Sequence, residues 1–184
     1  MVNREDKRML DKYKYTEKMR KELLKSIIII TDSREQVNNH ITSWFDKKKL
    51  PYKEMTLKQG DYSFYIPKNE ELDIPRDIYF DKEIMIERKN SLDELSGNFG
   101  TGRDRFEKEL SLAKGKKYLL IERASYQDLV DGNYKAEYDK KAFLATLHTF
   151  INRYDLTVMF MPNNEYSAQW IYATFYYYLH NYLN

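Results

Sequence analysis

The sequence predicts a single α/β domain in which helices flank both faces of a mixed central β-sheet. Three observations support this fold class. Short β-branched runs alternate along the chain with longer stretches of helical periodicity. The 184 residues are enough for one domain with a core, and a hydrophobic fraction of 42% argues against disorder. The chain has no cysteine, which excludes disulfides, thiolate metal sites and cysteine nucleophiles.

The N-terminal segment differs in charge from the rest of the chain. Residues 1–26 hold nine Lys/Arg and five Asp/Glu without a helix breaker, so we expect a basic helical arm ahead of a single domain over 27–184. Such an arm either follows a phosphate backbone or is simply a solvated helix. The β-branched run at 27–30 predicts a buried strand, and apolar residues at helical spacing predict a helix over 35–49 that ends before Pro51.

The middle of the chain has the pattern of strands. We expect strands at 52–57, 61–66 and 77–88, in a largely antiparallel arrangement. Residues 67–76 contain two prolines and several acids, which predicts an exposed loop between the last two strands.

The C-terminal half alternates helices with strands. Strands are predicted at 116–123 and 156–161, and helices at 93–96, 103–114, 125–130, 138–153 and 164–183. The last helix is apolar on nearly all sides, which favours a place in the core and, second, a homodimer or heterodimer interface formed by the C-terminal helices. The histidines, His40, His148 and His180, are scattered, so we expect them to be structural.

Three consecutive charged residues, Glu87, Arg88 and Lys89, end a strand-like apolar run. Strand side chains alternate between faces, so Glu87 and Lys89 point one way and Arg88 the other. A carboxylate and an ammonium on one face can share a metal–phosphate site, and Asp61, directly after Gly60, is a candidate second carboxylate. On an edge strand the same residues would be only a soluble face with an ion pair.

Oxygen ligands without a Cys or His cluster suit Mg²⁺ or Mn²⁺ better than Zn²⁺. Such a cation lowers the pKa of bound water and neutralises charge that builds up on a phosphoryl group. The arrangement Asp61…Glu87-x-Lys89 is therefore chemically suited to phosphodiester hydrolysis.

The stretch "GDY" at 60–62, followed by "ERKNSLD" at 87–93, resembles the signature of the XPF-type structure-specific nuclease family. Upstream, "IIIITDSRE" resembles the family's first strand, which ends in Asp-x-Arg-Glu, and "MTLKQGDY" resembles its next strand pair. Downstream, "YLLIE" resembles the strand after the second helix. The resemblance covers roughly 27–123 in the same order. It implies a restriction-endonuclease-like (PD-(D/E)xK) nuclease core and metal-dependent cleavage of DNA.

The resemblance also implies roles for the residues of the motif. Carried over position by position, Asp61, Glu87 and the backbone carbonyl of Arg88 would be metal ligands. Lys89 would be the catalytic lysine and would contact the DNA. Arg88 would orient the acids.

Two acidic residues, Asp32 and Glu35, match the family's early acidic pair, and one of them would complete the metal site. The same stretch is also a helix capping box with Asp32 as the N-cap, and the two roles need not exclude each other. Asp93 would anchor the turn after the motif, or it would be only the N-cap of the following helix.

A glycine-rich loop precedes Arg103 and Arg105, which open the next predicted helix. Positive side chains beside a metal site suit DNA phosphates, so we expect both arginines to contact the DNA backbone. Arg105 and Glu109 are also i, i+4 neighbours that can simply pair on a solvated face.

The leading hypothesis is a Mg²⁺- or Mn²⁺-dependent endodeoxyribonuclease. By resemblance it would act on branched, flapped or nicked DNA, in repair, recombination, or the DNA processing of a phage or mobile element. The alternative is a non-catalytic DNA-binding or scaffold subunit of a nuclease complex, although the complete set of acids and lysine favours the enzyme. Without a signal pattern or a membrane-spanning apolar run, we expect a cytoplasmic protein of a bacterial or phage-infected cell, with no membrane association.

Overall fold

Seven strands form one mixed sheet in the computed structural model, which describes residue 10 and residues 15–184. The strands are β1 (Ile28–Asp32), β2 (Tyr52–Met55), β3 (Tyr62–Ile66), β4 (Ile78–Tyr79), β5 (Ile84–Lys89), β6 (Lys116–Glu122) and β7 (Leu156–Met161). Their order across the sheet is β2-β1-β3-β5-β6-β7, and β4 pairs with β3.

Helices cover both faces of this sheet. They are α1 (Glu17–Lys25), α2 (Asn39–Lys48), α3 (Leu92–Phe99), α4 (Arg103–Leu112), α5 (Tyr126–Asp131), α6 (Lys140–Tyr154) and α7 (Ser167–Tyr182). Helices α1, α2 and α7 pack on one face, and α3 to α6 pack on the other. The predicted fold class, a mixed α/β sheet flanked by helices, is confirmed.

Strand directions divide the sheet into two halves. β5, β6 and β7 are parallel, whereas β3 is antiparallel to both β1 and β5. The predicted antiparallel arrangement is correct for β3, β4 and β5. It is wrong for β2, which pairs in parallel with β1 and therefore lies outside the antiparallel part.

Two of the three hydrophobic clusters among the described residues hold the helices against the sheet. The core under α1, α2 and α7 includes the sheet residues Ile29, Phe64 and Ile86, and the core under α3 to α6 includes Met85 and Leu119. Met85 and Ile86 are neighbours on β5 but belong to opposite cores, so β5 is covered on both sides. This explains why the charged end of β5 is enclosed.

The N-terminal helix α1 is part of the described chain. It begins after the N-cap Thr16, and Leu23 and Leu24 are buried in the core beneath α7. The rest of the predicted arm, residues 1–9 and 11–14, lies outside the described residues. The division into an arm over 1–26 and a domain over 27–184 stays a prediction.

The predicted capping box at Asp32 is wrong. Asp32 is the last residue of β1, and the following helix, α2, starts only at Asn39, four residues later than the pattern indicated. The reason is that Arg34 takes up the Asp32 carboxylate in a tight turn, so that carboxylate caps no helix.

The loop between β3 and β4, predicted to be exposed, is fixed to the body of the protein by buried apolar side chains. It contains a short 3₁₀ turn, Glu70–Leu72, and the side chains of Leu72 and Ile74 are buried in the core under α7. The acids of this loop are largely exposed, but the loop itself is fixed to the body.

The last helix, α7, buries one face in the core. Ile171, Phe175 and Leu179 are fully enclosed, whereas Tyr177 is mostly exposed. The predicted core role is confirmed for the buried face, and pairing of two chains through this helix stays a prediction. Among residue 10 and residues 15–184, no helix has the length and apolar character needed to cross a membrane.

Candidate active site

Asp61 is fixed by main-chain hydrogen bonds to two neighbouring strands. Its N–H donates to the Ile86 carbonyl at 2.9 Å, and its carbonyl accepts from the Asp32 N–H at 2.7 Å. Asp61 therefore bridges the ends of β1 and β5 at the entrance to β3. This backbone arrangement brings the Gly-Asp part of the motif beside the Glu-Arg-Lys part.

Gly60 is required for this close approach. Its φ is +70°, in the left-handed region that favours glycine. A Cβ at this position would lie 2.8 Å from Met85 Sδ and 3.1 Å from the Ile86 carbonyl oxygen. The glycine of the motif thus has a physical reason: only a residue without a side chain fits against β5 here.

The end of β5 presents its charges to opposite faces, as predicted. Glu87 and Lys89 point into a cleft beside α3 and α4, and Lys89 Nζ donates to Glu87 Oε1 at 2.7 Å. Lys89 Nζ also lies 5.4 Å from the centre of the Phe106 ring, a cation–π distance. The Arg88 N–H donates to Asp61 Oδ2 at 2.7 Å. Asp61, Glu87 and Lys89 are therefore brought together.

The environment of these three groups shifts their protonation. Burial, followed by the charge of Glu87, raises the pKa of Asp61 well above its usual value. Burial also raises the pKa of Glu87, against the opposing effect of Lys89. For Lys89, burial alone would lower the pKa, but the Glu87 and Asp61 carboxylates outweigh it and raise the pKa. Ionising both acids beside a single ammonium is therefore unfavourable unless a further positive charge binds.

This donor set fits a hard divalent cation. Within the described residues, Asp61 Oδ1 and Glu87 Oε2 make no hydrogen bond, so each acid keeps one oxygen for a ligand. Across the described part of the chain, no group of three or more His, Cys, Asp or Glu side chains is arranged to hold a metal. Mg²⁺ commonly uses only one or two carboxylates, with water and substrate phosphates as its other ligands.

Asp32 points to the same cleft but is already engaged. Its Oδ1 accepts from Arg34 N and Nε at 2.7 and 2.8 Å, and its Oδ2 accepts from Arg34 Nη2 and Leu57 N at 2.9 and 2.8 Å. Burial would raise the pKa of Asp32, but these hydrogen bonds lower it. In this arrangement Asp32 positions Arg34, and its assignment as a metal ligand stays a prediction.

Behind the site, on the opposite face of β5, Arg88 lies in a buried polar network. Its guanidinium bonds Glu35 and Glu122, each at 3.2 Å, and the Val37 carbonyl oxygen. Glu122 is fully buried and also contacts His40 Nε2 at 2.8 Å. Arg88 thus holds two acids, and Glu35 faces this network rather than the cleft floor.

The cleft has a volume of about 490 Å³ and a charged rim. Arg34, Lys58 and Arg105 line it, and their side chains reach solvent, as the 57% exposure of Arg34 and 77% of Arg105 show. Glu94 and Glu109 line the wall formed by α3 and α4. The lining thus combines acids, which include the buried Glu87, with exposed basic side chains.

The two arginines predicted to contact DNA are separated by the structure. Arg105 lines the cleft and pairs with Glu109 at 3.1 Å. Arg103 does not line it: its guanidinium pairs with Glu107 at 2.9 Å and lies over the Phe150 ring. Contact of either residue with DNA stays a prediction, and the geometry favours Arg105.

Asp93 has a structural position beside the site. The N-cap of α3 is Ser91, whose Oγ accepts from Glu94 N, so the expectation of Asp93 as N-cap is wrong. Asp93 Oδ1 accepts instead from the N–H groups of Lys135 and Ala136 at 2.7 and 2.8 Å. It anchors the loop before α6 to α3, and its predicted role in the turn after the motif stays a prediction.

Several residues of the cleft and of the network behind it were not predicted to take part, among them Arg34, Glu122 and His40. Arg34 is part of the Asp-x-Arg-Glu stretch, so its position in that motif could have indicated a role in the site. Glu122 ends the apolar run "YLLIE", and a charged residue on a buried strand could likewise have indicated a functional or paired group. His40 gave no such indication, because its contact with Glu122 joins positions 82 residues apart.

The family of the chain is indicated by a family model described as the ERCC4 domain, which matches residues 31–174. The match runs from the end of β1 into α7 and contains every residue placed in the cleft. No match was found among curated protein sequences.

Two solved structures share the fold. XPF from Aeropyrum pernix has a TM-score of 0.56 at 15% identity, and the match covers 80% of this chain and 63% of that one. XPF from Aeropyrum pernix in complex with DNA has a TM-score of 0.59 at 16% identity, with 84% and 65% covered. The match thus spans a little under two thirds of those chains.

Proposed function

The chain belongs to the ERCC4 domain family, and on this premise we propose that it is a metal-dependent endonuclease that hydrolyses phosphodiester bonds in DNA. The observation that supports this most is the meeting of Asp61, Glu87 and Lys89 at the floor of one open cleft. Glu87 is hydrogen-bonded to Lys89, Asp61 is hydrogen-bonded to the Arg88 N–H, and within the described residues each acid keeps one oxygen free, which suits phosphoryl chemistry. A purely structural ion pair would not need the second acid.

Asp61 and Glu87 would hold the divalent cation, with the Arg88 backbone carbonyl as a third ligand. Mg²⁺ or Mn²⁺ bound there would lower the pKa of a coordinated water and offset negative charge developing on the phosphoryl group. Asp61 keeps its position through the Arg88 N–H, and Glu87 through Lys89 Nζ. Both acids are therefore pre-positioned by the protein before any ligand binds.

Lys89 would act as a fixed positive charge at the reacting phosphate. Its ammonium is held between the Glu87 carboxylate and the Phe106 ring, so few rotamers are open to it. From there it can donate a hydrogen bond to a phosphoryl oxygen or to the attacking water. Because the two acids raise the pKa of Lys89, its side chain stays protonated. It can therefore orient the phosphate or the water by donating a hydrogen bond, but it is a poor general base.

Arg34 and Arg105 would bind the phosphate backbone at the rim. Asp32 holds the Nε and Nη2 of Arg34, so the remaining Nη1 edge is presented in a fixed direction. Among the described residues, Arg105 pairs only with Glu109, an i, i+4 acid on the same helix, so it is held less firmly than Arg34. A firmly held and a less firmly held cation on the rim can together guide a strand over the acidic floor.

DNA is the proposed substrate because a matched structure, XPF from Aeropyrum pernix, is described in complex with DNA. Within DNA, we propose branched, flapped or nicked forms, by the resemblance of the motif. Repair, recombination or the processing of phage and mobile-element DNA are the processes in which such an activity would serve.

The test is a cleavage assay on labelled single-stranded, duplex, flap, fork and four-way-junction DNA. Wild type should cleave at least one branched form with Mg²⁺ or Mn²⁺ and none with a chelator. Glu87→Gln and Lys89→Ala should each lower the rate at least about a hundredfold. Lys108→Ala, an exposed change on α4, serves as control and should keep the wild-type rate. DNA binding without cleavage under any condition would instead support a non-catalytic subunit.

A further inference from the structure

A row of exposed lysines continues from the active-site cleft along the surface. Lys58 and Gln59 line both the cleft and an adjoining depression of about 200 Å³. Lys82 and Lys114 line that depression and also the next one, which has a volume of about 470 Å³ and includes Lys116. The shared lining residues make the three hollows one continuous path. We call Lys58, Lys82, Lys114 and Lys116 the lysine track.

The side chains of the track are available to a ligand. All four lysines are exposed, and within the described residues none of them forms a salt bridge. Lys116 Nζ lies 5.9 Å from the centre of the Tyr178 ring, which leaves its charge uncancelled. Unpaired ammonium groups along a path suit a partner with regularly spaced negative charges.

Two of the three acids that line the two hollows beyond the cleft are less exposed to solvent than the lysines. Asp81 Oδ1 and Glu83 Oε2 are enclosed by protein atoms, so part of each carboxylate is turned away from the surface. Asp155 is exposed and lines the far hollow, beside Lys116. The track is therefore most favourable to an anion between Lys58 and Lys114 and ends near Asp155.

The backbone beneath the track is rigid. Gly115 packs so tightly that a Cβ there would lie 2.1 Å from the Glu83 carbonyl oxygen, and Lys116 N donates to that oxygen at 2.8 Å. The buried Lys117 donates to the carbonyls of Ala113 and Gly115 and closes the same turn. Lys82 and Lys114 are thus presented from two turns that are fixed to each other.

We propose that the lysine track binds the phosphate backbone of the DNA segment that leaves the cleft past Lys58. This rests on the proposed function and adds a direction to it: the strand runs from the cleft toward the start of β5 and β6. Lysines contact phosphates as point charges, so the track would hold the backbone without reading its sequence. Exposed Leu112, in the middle of the path, can pack against a sugar or base.

The experiment measures DNA binding against salt concentration, without metal, for the double variant Lys82→Ala/Lys114→Ala. Each lost phosphate contact lowers the slope of log K against log salt by about 0.7 to 0.9. The double variant should therefore lose about 1.5 from the slope. The control Lys140→Ala/Lys141→Ala, on exposed α6 positions, should keep the wild-type slope. Neither pair lies in the cleft, so the cleavage rate at saturating DNA should be unchanged.

A second arm shortens the DNA on one side of the cleavage position at a time. Removing the segment that reaches the track should make wild type and the Lys82→Ala/Lys114→Ala variant bind equally, and removing the other side should not. If wild type binds and cleaves while this variant retains the slope of the control pair, the track is overturned and the proposed function stands. If wild type neither binds nor cleaves DNA, both are overturned.

Discussion

The Arg88 N–H donates to the Asp61 carboxylate at 2.7 Å, so the acid at the entrance of β3 is tied to the main chain of β5. The link depends on backbone geometry, and an asparagine at position 61 can accept the same hydrogen bond without the charge. The position of Asp61 and its negative charge can therefore be separated by experiment.

The first prediction concerns Gly60. Gly60→Ala should lower the free energy of unfolding by about 1 to 3 kcal/mol, because alanine is strained at a φ of +70° and its Cβ would press on Met85 and Ile86. Gly97→Ala is the matched control. Its Cβ meets nothing within 4 Å, and α3 should be unchanged or stabilised by up to about 1 kcal/mol. Urea unfolding of both variants decides this, and equal effects would contradict the assigned role of Gly60.

The second prediction concerns the buried network behind the site. Glu122→Ala should destabilise the fold by about 3 kcal/mol, because it removes the fully buried partner of both Arg88 and His40. Glu107→Ala removes a partly exposed acid that pairs with Arg103, and it should cost less than about 1 kcal/mol. The free energies of unfolding of the two variants are compared by denaturant titration. A Glu122→Ala cost no larger than that of Glu107→Ala would show that the network contributes little.

The third prediction is a pH dependence at Asp32. The pKa of Asp32 is lowered in the folded state, so its ionised form adds stability at pH values above its unfolded pKa, about 3.9. That stability is lost as the pH falls through the lower folded value. Asp32→Asn should cost about 1 kcal/mol at pH 7, since Arg34 is more than half exposed, and less near pH 3. A cost that is the same at both pH values would contradict the assignment.

The fourth prediction concerns the metal-free protein. The pKa of Asp61 is raised by burial and by Glu87, so its ionised form opposes folding, and stability should fall as the pH rises above the unfolded pKa of about 3.9 toward 7. Asp61→Asn removes this charge and keeps the hydrogen bond to Arg88. In a thermal melt at pH 7 without metal, Asp61→Asn should therefore match or exceed the wild-type Tm.

The same thermal melts with added Mn²⁺ test whether Asp61 is needed for metal binding. Mn²⁺ should raise the wild-type Tm by binding the folded state, and it should leave the Asp61→Asn Tm unchanged. A metal-free Tm of Asp61→Asn several degrees below that of wild type would show that the charge of Asp61 stabilises the fold, contrary to this account.

Much of the site could be predicted because it depends on local periodicity. Alternation along a strand placed Glu87 and Lys89 on one face and Arg88 on the other, and the structure agrees. The motif also directed attention to Asp61, whose meeting with Glu87 is a tertiary event set by the left-handed turn at Gly60.

The errors came from side chains with competing partners. Asp32 has the spacing of a helix cap, but Arg34 binds the same carboxylate more fully, with three nitrogen donors. The role of Glu122 depends on Arg88, which belongs to the neighbouring strand of the sheet. The spacing of residues within one segment does not show which charged residues from distant segments will meet in the folded protein.

The most direct test of the central claim is the single-turnover rate of DNA cleavage by Asp61→Asn at a Mn²⁺ concentration that saturates wild type. The matched control is Asp104→Asn, an exposed acid in the first turn of α4. We predict that Asp104→Asn cleaves at the wild-type rate and that Asp61→Asn, still folded, is at least about a hundredfold slower. An Asp61→Asn rate within about threefold of wild type would contradict the assignment of Asp61 to the catalytic centre.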